Sequence, residues 1–416
     1  MRLTITFFKV LSFGSTFQNC RELRLIIFWI ALFSIIAIQL NNYSLMVNVG
    51  LLDSFRVFMV WLAVGRVVLA YLGSRSFPIL WGRLVASCVR TFLMSNLFWF
   101  YLIFELRLLP IFVMILFWGG QPERLRARMY FIVYTIVFSV PLLVMIMRIG
   151  ITYFWWPLHF MPRLLISTIF VLPFLVKLPV FGLHFWLPKA HVEASTSGSM
   201  ILARLLLKLG SFGLFRVLSM MVLSVFPILI FFCAVVSRVS TVIQVDFKKL
   251  VAYSSVTHMT FLSVARITVN KTILFIIILF SVAHGWVSSR LFFLVGQSRR
   301  VSYSRLGILL SSRSNLFWFY LIFGLILISN SSIPPIPSFF PEVLTICGAL
   351  ISIRVVIICF VLFRLLVCYF NSILFLGVSK SKGYHFKGGI LSISESATIF
   401  IQVGLSIVSI VLVFRF

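Results

Sequence analysis

Phe170-Val171-Leu172-Pro173-Phe174-Leu175-Val176-Lys177-Leu178-Pro179 sets a lysine between two prolines in a run with no other polar side chain. A charge at the centre of a membrane-spanning helix costs about 2.5–3.5 kcal/mol, so such residues default to ion or proton pathways. Proline removes a ladder donor and clashes with the preceding turn. Backbone broken in this way survives at membrane depth only where protein or a wet cavity covers it, and transporters place ion sites there. The run therefore reads as a discontinuous membrane helix around an ionisable group, with an ordinary proline kink as the bland alternative. A second break of this kind is Asn330-Ser331-Ser332-Ile333-Pro334-Pro335-Ile336-Pro337, which stands just before Glu342.

The rest of the chain sustains that reading. It is 416 residues long, 62% hydrophobic and only 11% charged, too little polar surface to cover a soluble globule. The apolar runs are continuous rather than alternating, which excludes a β-barrel. A span needs roughly 20 helical residues. Apolar segments near 3–18, 25–40, 53–72, 78–94, 97–117, 129–149, 164–186, 199–218, 221–239, 249–266, 271–294, 315–356, 358–377 and 394–414 predict an all-α, polytopic transmembrane helical bundle. That makes about 14 spans, two of them discontinuous, in a single integral membrane domain over 1–416.

The formal charge of +28 does not point to nucleic acid, because the basic residues are scattered between apolar runs. They report topology instead. Alternate loops differ: Arg124, Arg126 and Arg128, Lys248 and Lys249, and Arg299, Arg300 and Arg305 fall on one face, while the 41–52 loop carries none. This asymmetry implies an even span number, with both termini opposite the basic face. The six cysteines lie singly in apolar stretches and read as buried thiols. The opening residues show no cleavable presequence. Ser95–Phe104 recurs identically as Ser314–Phe323, the first copy running into Glu105 and the second into Gly324. The two copies start on opposite faces in this topology, so they are not equivalent helices of a structural repeat.

Eight carboxylates face 36 lysines and arginines, so each acid in an apolar run asks for a partner. Glu105 follows Asn96-Leu97-Phe98-Trp99-Phe100-Tyr101-Leu102-Ile103-Phe104, and Lys177, Lys208, His258, His284 and Glu342 fall on later spans. Burial disfavours the charged form of each, and an opposite charge within ~4–6 Å reverses that. A Glu105–Lys177 pair that forms and breaks would alter the proton affinity of Lys208, whereas a static bridge would not. For the histidines the bland alternative is a satisfied core residue.

Trp186-Leu187-Pro188-Lys189-Ala190-His191-Val192-Glu193-Ala194, then Gly198-Ser199-Met200 and Leu206-Leu207-Lys208-Leu209-Gly210, closely resembles the chain 4 family of mitochondrial NADH-ubiquinone oxidoreductase, the antiporter-like membrane subunits of respiratory complex I. So do Trp118-Gly119-Gly120-Gln121-Pro122-Glu123-Arg124-Leu125, the run Asp246 to Met259, and Ala283-His284-Gly285, with Pro334-Pro335 and Glu342 continuing the match. The resemblance implies an antiporter-like core over approximately 78–358. It implies a proton-translocating subunit of NADH:ubiquinone reductase, multi-pass in the mitochondrial inner membrane, with no redox centre in this chain. NADH, flavin, iron–sulfur clusters and ubiquinone are then expected on other subunits. The implied partners are other membrane-arm subunits, including neighbouring antiporter-like chains, and membrane lipids with cardiolipin as one candidate. Residue by residue, Glu105 and Lys177 match the family's ion pair, Lys208 its central lysine, His258 and His284 its linking histidines, and Glu342 its terminal acid. His184 and His191 stand in matching runs without an assigned role. A subunit of a cation/proton antiporter without redox coupling is the alternative activity, and a scaffold with static buried charges is the third reading.

Three positions depart from the family pattern: Ser195 in place of proline, Arg204 in place of a small residue, and Arg107 two residues after Glu105. Residues four apart share a helix face, so Arg204 pointing inward would sit beside Lys208. The expectation is that its guanidinium extends to the basic-face surface, or meets an acid or a lipid phosphate, while its stem covers apolar surface.

Overall fold

The computed structural model describes residues 97–118, 123–149, 164–218, 226–268, 273–302 and 338–350, with single positions at 59, within 84–96 and within 323–330. The predicted segments near 3–18, 25–40, 358–377 and 394–414, and residues 331–337 of the second break, lie outside the described residues.

The described residues bear out the helical class. In chain order they form α1 (Leu97–Leu106), α2 (Leu108–Trp118), α3 (Arg124–Ile149), α4 (Leu164–Lys177), α5 (Trp186–Glu193) and α6 (Thr196–Ile201). A π-turn over Leu202–Leu206 leads into α7 (Leu207–Leu218), followed by α8 (Phe226–Val242), α9 (Phe247–Thr268), α10 (Ile273–Ser302) and α11 (Phe339–Leu350). Among the described residues, Leu97–Phe117, Arg124–Arg148, Thr196–Phe215 and Ile276–Arg299 are long and apolar enough to cross a membrane. The first of these is α1 and α2 joined at Arg107, and the third is α6, the π-turn and α7 in continuous succession.

Burial distinguishes their places. Thr196–Phe215 is enclosed on every side, whereas α3 leaves Val133, Ile136, Val137, Val140 and Val144 exposed. An exposed apolar stripe on a spanning helix is the surface that lipid or a neighbouring span covers.

The chain divides into two compact units, Met1–Met114 with Leu143–Pro157, and Ile115–Leu142 with Leu158–Phe416. In the first, Arg107 is buried, with Nη1 donating to Thr91 Oγ1 at 3.4 Å and reaching Cys88 Sγ at 4.0 Å, and its guanidinium lies 5.3 Å from the Phe104 ring. In the second, Met200 and Ala203 pack against Phe247 and Val251 of α9 and Phe292 and Leu294 of α10.

Packing of α7 on α4 is close because two positions on α7 lack a side chain. A Cβ on Gly210 would meet the Leu178 backbone nitrogen at 3.1 Å and the Lys177 carbonyl carbon at 3.2 Å, and one on Gly213 would overlap the Phe174 ring. Glycine here brings the helix that carries Lys208 directly against the break that carries Lys177.

Candidate functional site

Helix α4 carries Pro173 inside it and ends at Lys177, so the break follows the lysine rather than surrounding it: Pro179 cannot continue the ladder, and Leu178 before it is pushed out of the helical region. The interruption covers residues 178–185 before α5 begins at Trp186. Its backbone is satisfied locally. Leu178 N donates to Phe174 O at 2.8 Å, Val180 N to Leu175 O at 3.2 Å and Leu183 N to Val180 O at 2.9 Å. The Trp186 indole N–H, from the far side of the break, caps Val176 O at 2.9 Å. Gly182 turns the chain at φ +98°, a conformation that suits only glycine. Lys177 itself is buried, 1% exposed.

Lys208 follows the π-turn directly. Such turns leave a carbonyl out of the regular ladder and recur at functional sites. The Lys208 Nζ donates to Ala203 O at 3.2 Å inside that turn, and lies 2.7 Å from His284 Nδ1 on α10. A charged lysine donates across that second contact, and a neutral one accepts from the imidazole, so one proton serves either side. The His284 and His258 ring centroids are 5.7 Å apart. His258 Nδ1 then stands 3.5 Å from Glu342 Oε1 in the first turn of α11. An acid at a helix start is favoured by the exposed N–H groups there. The structure thus brings Lys208, His284, His258 and Glu342 from four elements into one buried chain.

Glu105 is half-buried on α1 in the first compact unit, and Lys177 belongs to the second. His184 is stacked between Phe181 and Phe185, at 4.6 Å and 4.7 Å, and accepts from Gly182 N at 3.2 Å. His191 is buried and stacks flat on Phe292 at 4.5 Å, 7° from parallel. Burial, with the Lys248 charge adding to it, holds the His191 imidazole down at about 3, so it stays neutral.

Arg204 corrects the first part of the expectation drawn from sequence, an extension to the basic-face surface. It does not reach a surface: it is 1% exposed, its Nη2 donates to the Ser289 hydroxyl on α10, and its guanidinium lies 5.7 Å from the Trp286 ring. The physical reason is enclosure, since the whole segment Thr196–Phe215 is buried and leaves the arginine stem no outward path. The guanidinium meets α10 at Ser289, while Lys208 meets the same helix at His284.

Sequence reasoning left several buried polar groups unassigned. Asn330, Ser329 and Ser338 line a small cavity with His258 and His284. Lys248 Nζ donates to Ala194 O at 2.9 Å, closing the end of α5, whereas Lys249 makes a surface pair with Asp246 at 3.1 Å. Arg238 and Arg290 are buried as well. Asn330 carried a signal, its place at the mouth of the second break. The arginines carried none beyond their type.

The sequence profile of the family described as "NADH:quinone oxidoreductase/Mrp antiporter, TM" matches residues 94–367. The chain belongs to that family. It is 33% identical over 294 residues to NADH-ubiquinone oxidoreductase chain 4 of Caenorhabditis elegans, covering 70% of this chain and 72% of the relative. It is 40% identical over 274 residues to the chain of the same name from Artemia franciscana, covering 62% and 69%. Two solved structures share the fold. Respiratory complex I from Thermus thermophilus with bound NADH gives a TM-score of 0.72 at 21% identity, over 86% of this chain and 79% of its counterpart. The Mrp complex from Dietzia sp. DQ12-45-1b gives 0.71 at 16% identity, over 88% and 80%.

Proposed function

We propose that this chain is a proton-translocating subunit of the membrane arm of respiratory complex I, of the chain 4 type, in the mitochondrial inner membrane. The observation that carries the reading is the buried succession Lys208–His284–His258–Glu342, in which each group can take up and release a proton. The names of the relatives favour redox coupling over a stand-alone antiporter.

In this reading a proton held on Lys208 Nζ passes to His284 Nδ1 across the 2.7 Å contact, and the imidazole releases the proton from its other nitrogen. His258 accepts it and delivers its own Nδ1 proton toward the Glu342 carboxylate at 3.5 Å. Each transfer leaves the lysine neutral and the acid protonated, so the terminal charges disappear together until the acid discharges and the lysine reloads. In this reading Glu105 and Lys177 are the charge switch that sets when Lys208 reloads, since a change in nearby charge shifts a buried lysine's proton affinity. NADH, flavin, iron–sulfur clusters and ubiquinone belong to other subunits in this reading. Neighbouring antiporter-like chains and membrane lipids contact this one.

Lys208→Ala tests it in the assembled complex reconstituted in vesicles. NADH-driven proton uptake should fall by about 100-fold or more, while NADH oxidation by an artificial acceptor, which needs only the redox subunits, is unchanged. Normal proton uptake in that variant rejects the reading. Copurification with flavin and iron–sulfur subunits separates it from the antiporter alternative.

A further inference from the structure

We propose that Asn330 is a positioning residue that holds a single water between His284 and His258. The proposal rests on the proton-transfer reading above and deepens it. The two imidazoles line one cavity together with Phe280, Val287, Ser329, Asn330 and Ser338. About 10 Å³ of it is open to a water centre, the room of one molecule, and a buried water needs two to four polar partners.

Among the described residues, the lining offers these groups. Phe280 and Val287 offer no hydrogen bond, so they turn the water toward the polar wall. Ser329 Oγ donates to Ile326 O at 2.6 Å and Ser338 Oγ to Ser329 O at 3.4 Å, so both hydroxyl protons are committed to backbone and each oxygen serves as an acceptor. Asn330, 5% exposed, carries both an N–H₂ donor and a carbonyl acceptor.

That dual character fits the task. His284 turns Nδ1 to Lys208 and His258 turns Nδ1 to Glu342, so a proton moving between the rings uses their Nε2 sides. When His284 gives its proton the water must accept from one ring and donate to the other. When the rings are reset the water must turn over. A carboxamide holds either orientation, donating to the water's oxygen or accepting from its hydrogen, without adding a charge to the chain.

The test compares Asn330→Leu with Asn330→Ser in the intact complex in vesicles, with Lys208→Ala beside them. Leucine keeps the heavy-atom count and branching of asparagine, is bulkier and loses both polar groups, whereas serine is smaller, polar and leaves room for a second water. Proton uptake per NADH oxidised should drop about ten-fold or more in the leucine variant and stay within about two-fold of the unsubstituted complex in the serine variant. Uptake unchanged by leucine, or serine as damaging as leucine, overturns the water site. If Lys208→Ala abolishes uptake while the leucine variant is unaffected, the water site alone fails. If Lys208→Ala has no effect, the underlying reading fails with it. A density map of the unsubstituted complex gives an arm that needs no variant. Water density within hydrogen-bond reach of the Asn330 amide and both imidazoles supports the proposal, and a dry cavity rejects it.

Discussion

Ser289 has two partners at once, donating its proton to Trp286 O at 2.9 Å and accepting from the Arg204 guanidinium. Removing the hydroxyl takes an acceptor from a buried cation, which costs about 1–3 kcal/mol. Ser289→Ala should therefore lower the unfolding temperature of the assembled complex measured by scanning calorimetry. Arg204→Met should leave it unchanged or raise it, because apolar replacements of buried charges of similar volume are often neutral or stabilising. A loss in the methionine variant matching that in the alanine variant would show that the guanidinium is a net stabiliser. The contrast with Lys208 explains what could be read at this scale. Lys208, His258, His284 and Glu342 are legible because an ionisable group in an apolar run needs a partner, and few candidates exist. The direction of Arg204 was not legible, because it depends on whether neighbouring helices close over it. Asn330 was harder still, being neutral and distinguished only by the break it adjoins.

Helix α4 and helix α7 act as a pair because each supplies what the other needs. The break after Lys177 leaves Val176 O to be capped by the Trp186 indole, and the turns at Leu178 press against Gly210. Trp186→Phe keeps an aromatic ring beside Phe131, 5.4 Å away in the unsubstituted chain, but deletes the N–H and leaves a cavity where the larger indole stood, so its cost combines a packing loss with the lost hydrogen bond. Leaving that carbonyl without its donor should cost about 1–3 kcal/mol, read as a lower unfolding temperature. Gly213→Ala should cost a similar amount, about 1–3 kcal/mol, through overpacking on Phe174. Because that strain spreads along α7 toward Lys208, proton uptake should fall in the Gly213 variant more than in one at exposed Val140 on α3. Equal, small effects at both positions would show that the α4–α7 contact tolerates a methyl group. The α4 break was legible in Pro179, but not its start, since Pro173 stays inside the helix. The π-turn was not, since Leu202-Ala203-Arg204-Leu205-Leu206 carries no feature that an ordinary helix lacks.

At the scale of the whole chain, hydropathy and its continuous rather than alternating runs were enough for the helical class, because lipid leaves only helices and closed barrels to satisfy the backbone. Hydropathy says nothing of which charged residues work together. Glu105 and Lys177 belong to different compact units, so whether they cooperate is a question for a whole-molecule measurement. Glu105→Gln and Lys177→Met each remove one charge with little change in shape. If the two charges act as one switch, either substitution disables it and the second has nothing left to remove. Proton uptake in the double variant should then match the weaker single variant, an interaction energy of about 1 kcal/mol or more in the double-mutant cycle. Two independent charges predict multiplied losses instead. Salt separates the same cases: a pair shielded from solvent keeps its coupling when ionic strength rises, while charges acting through water lose theirs over about 10 Å at 0.1 M. Additive losses at low and high salt would remove the switch from the mechanism and leave reloading of Lys208 to groups within its own unit.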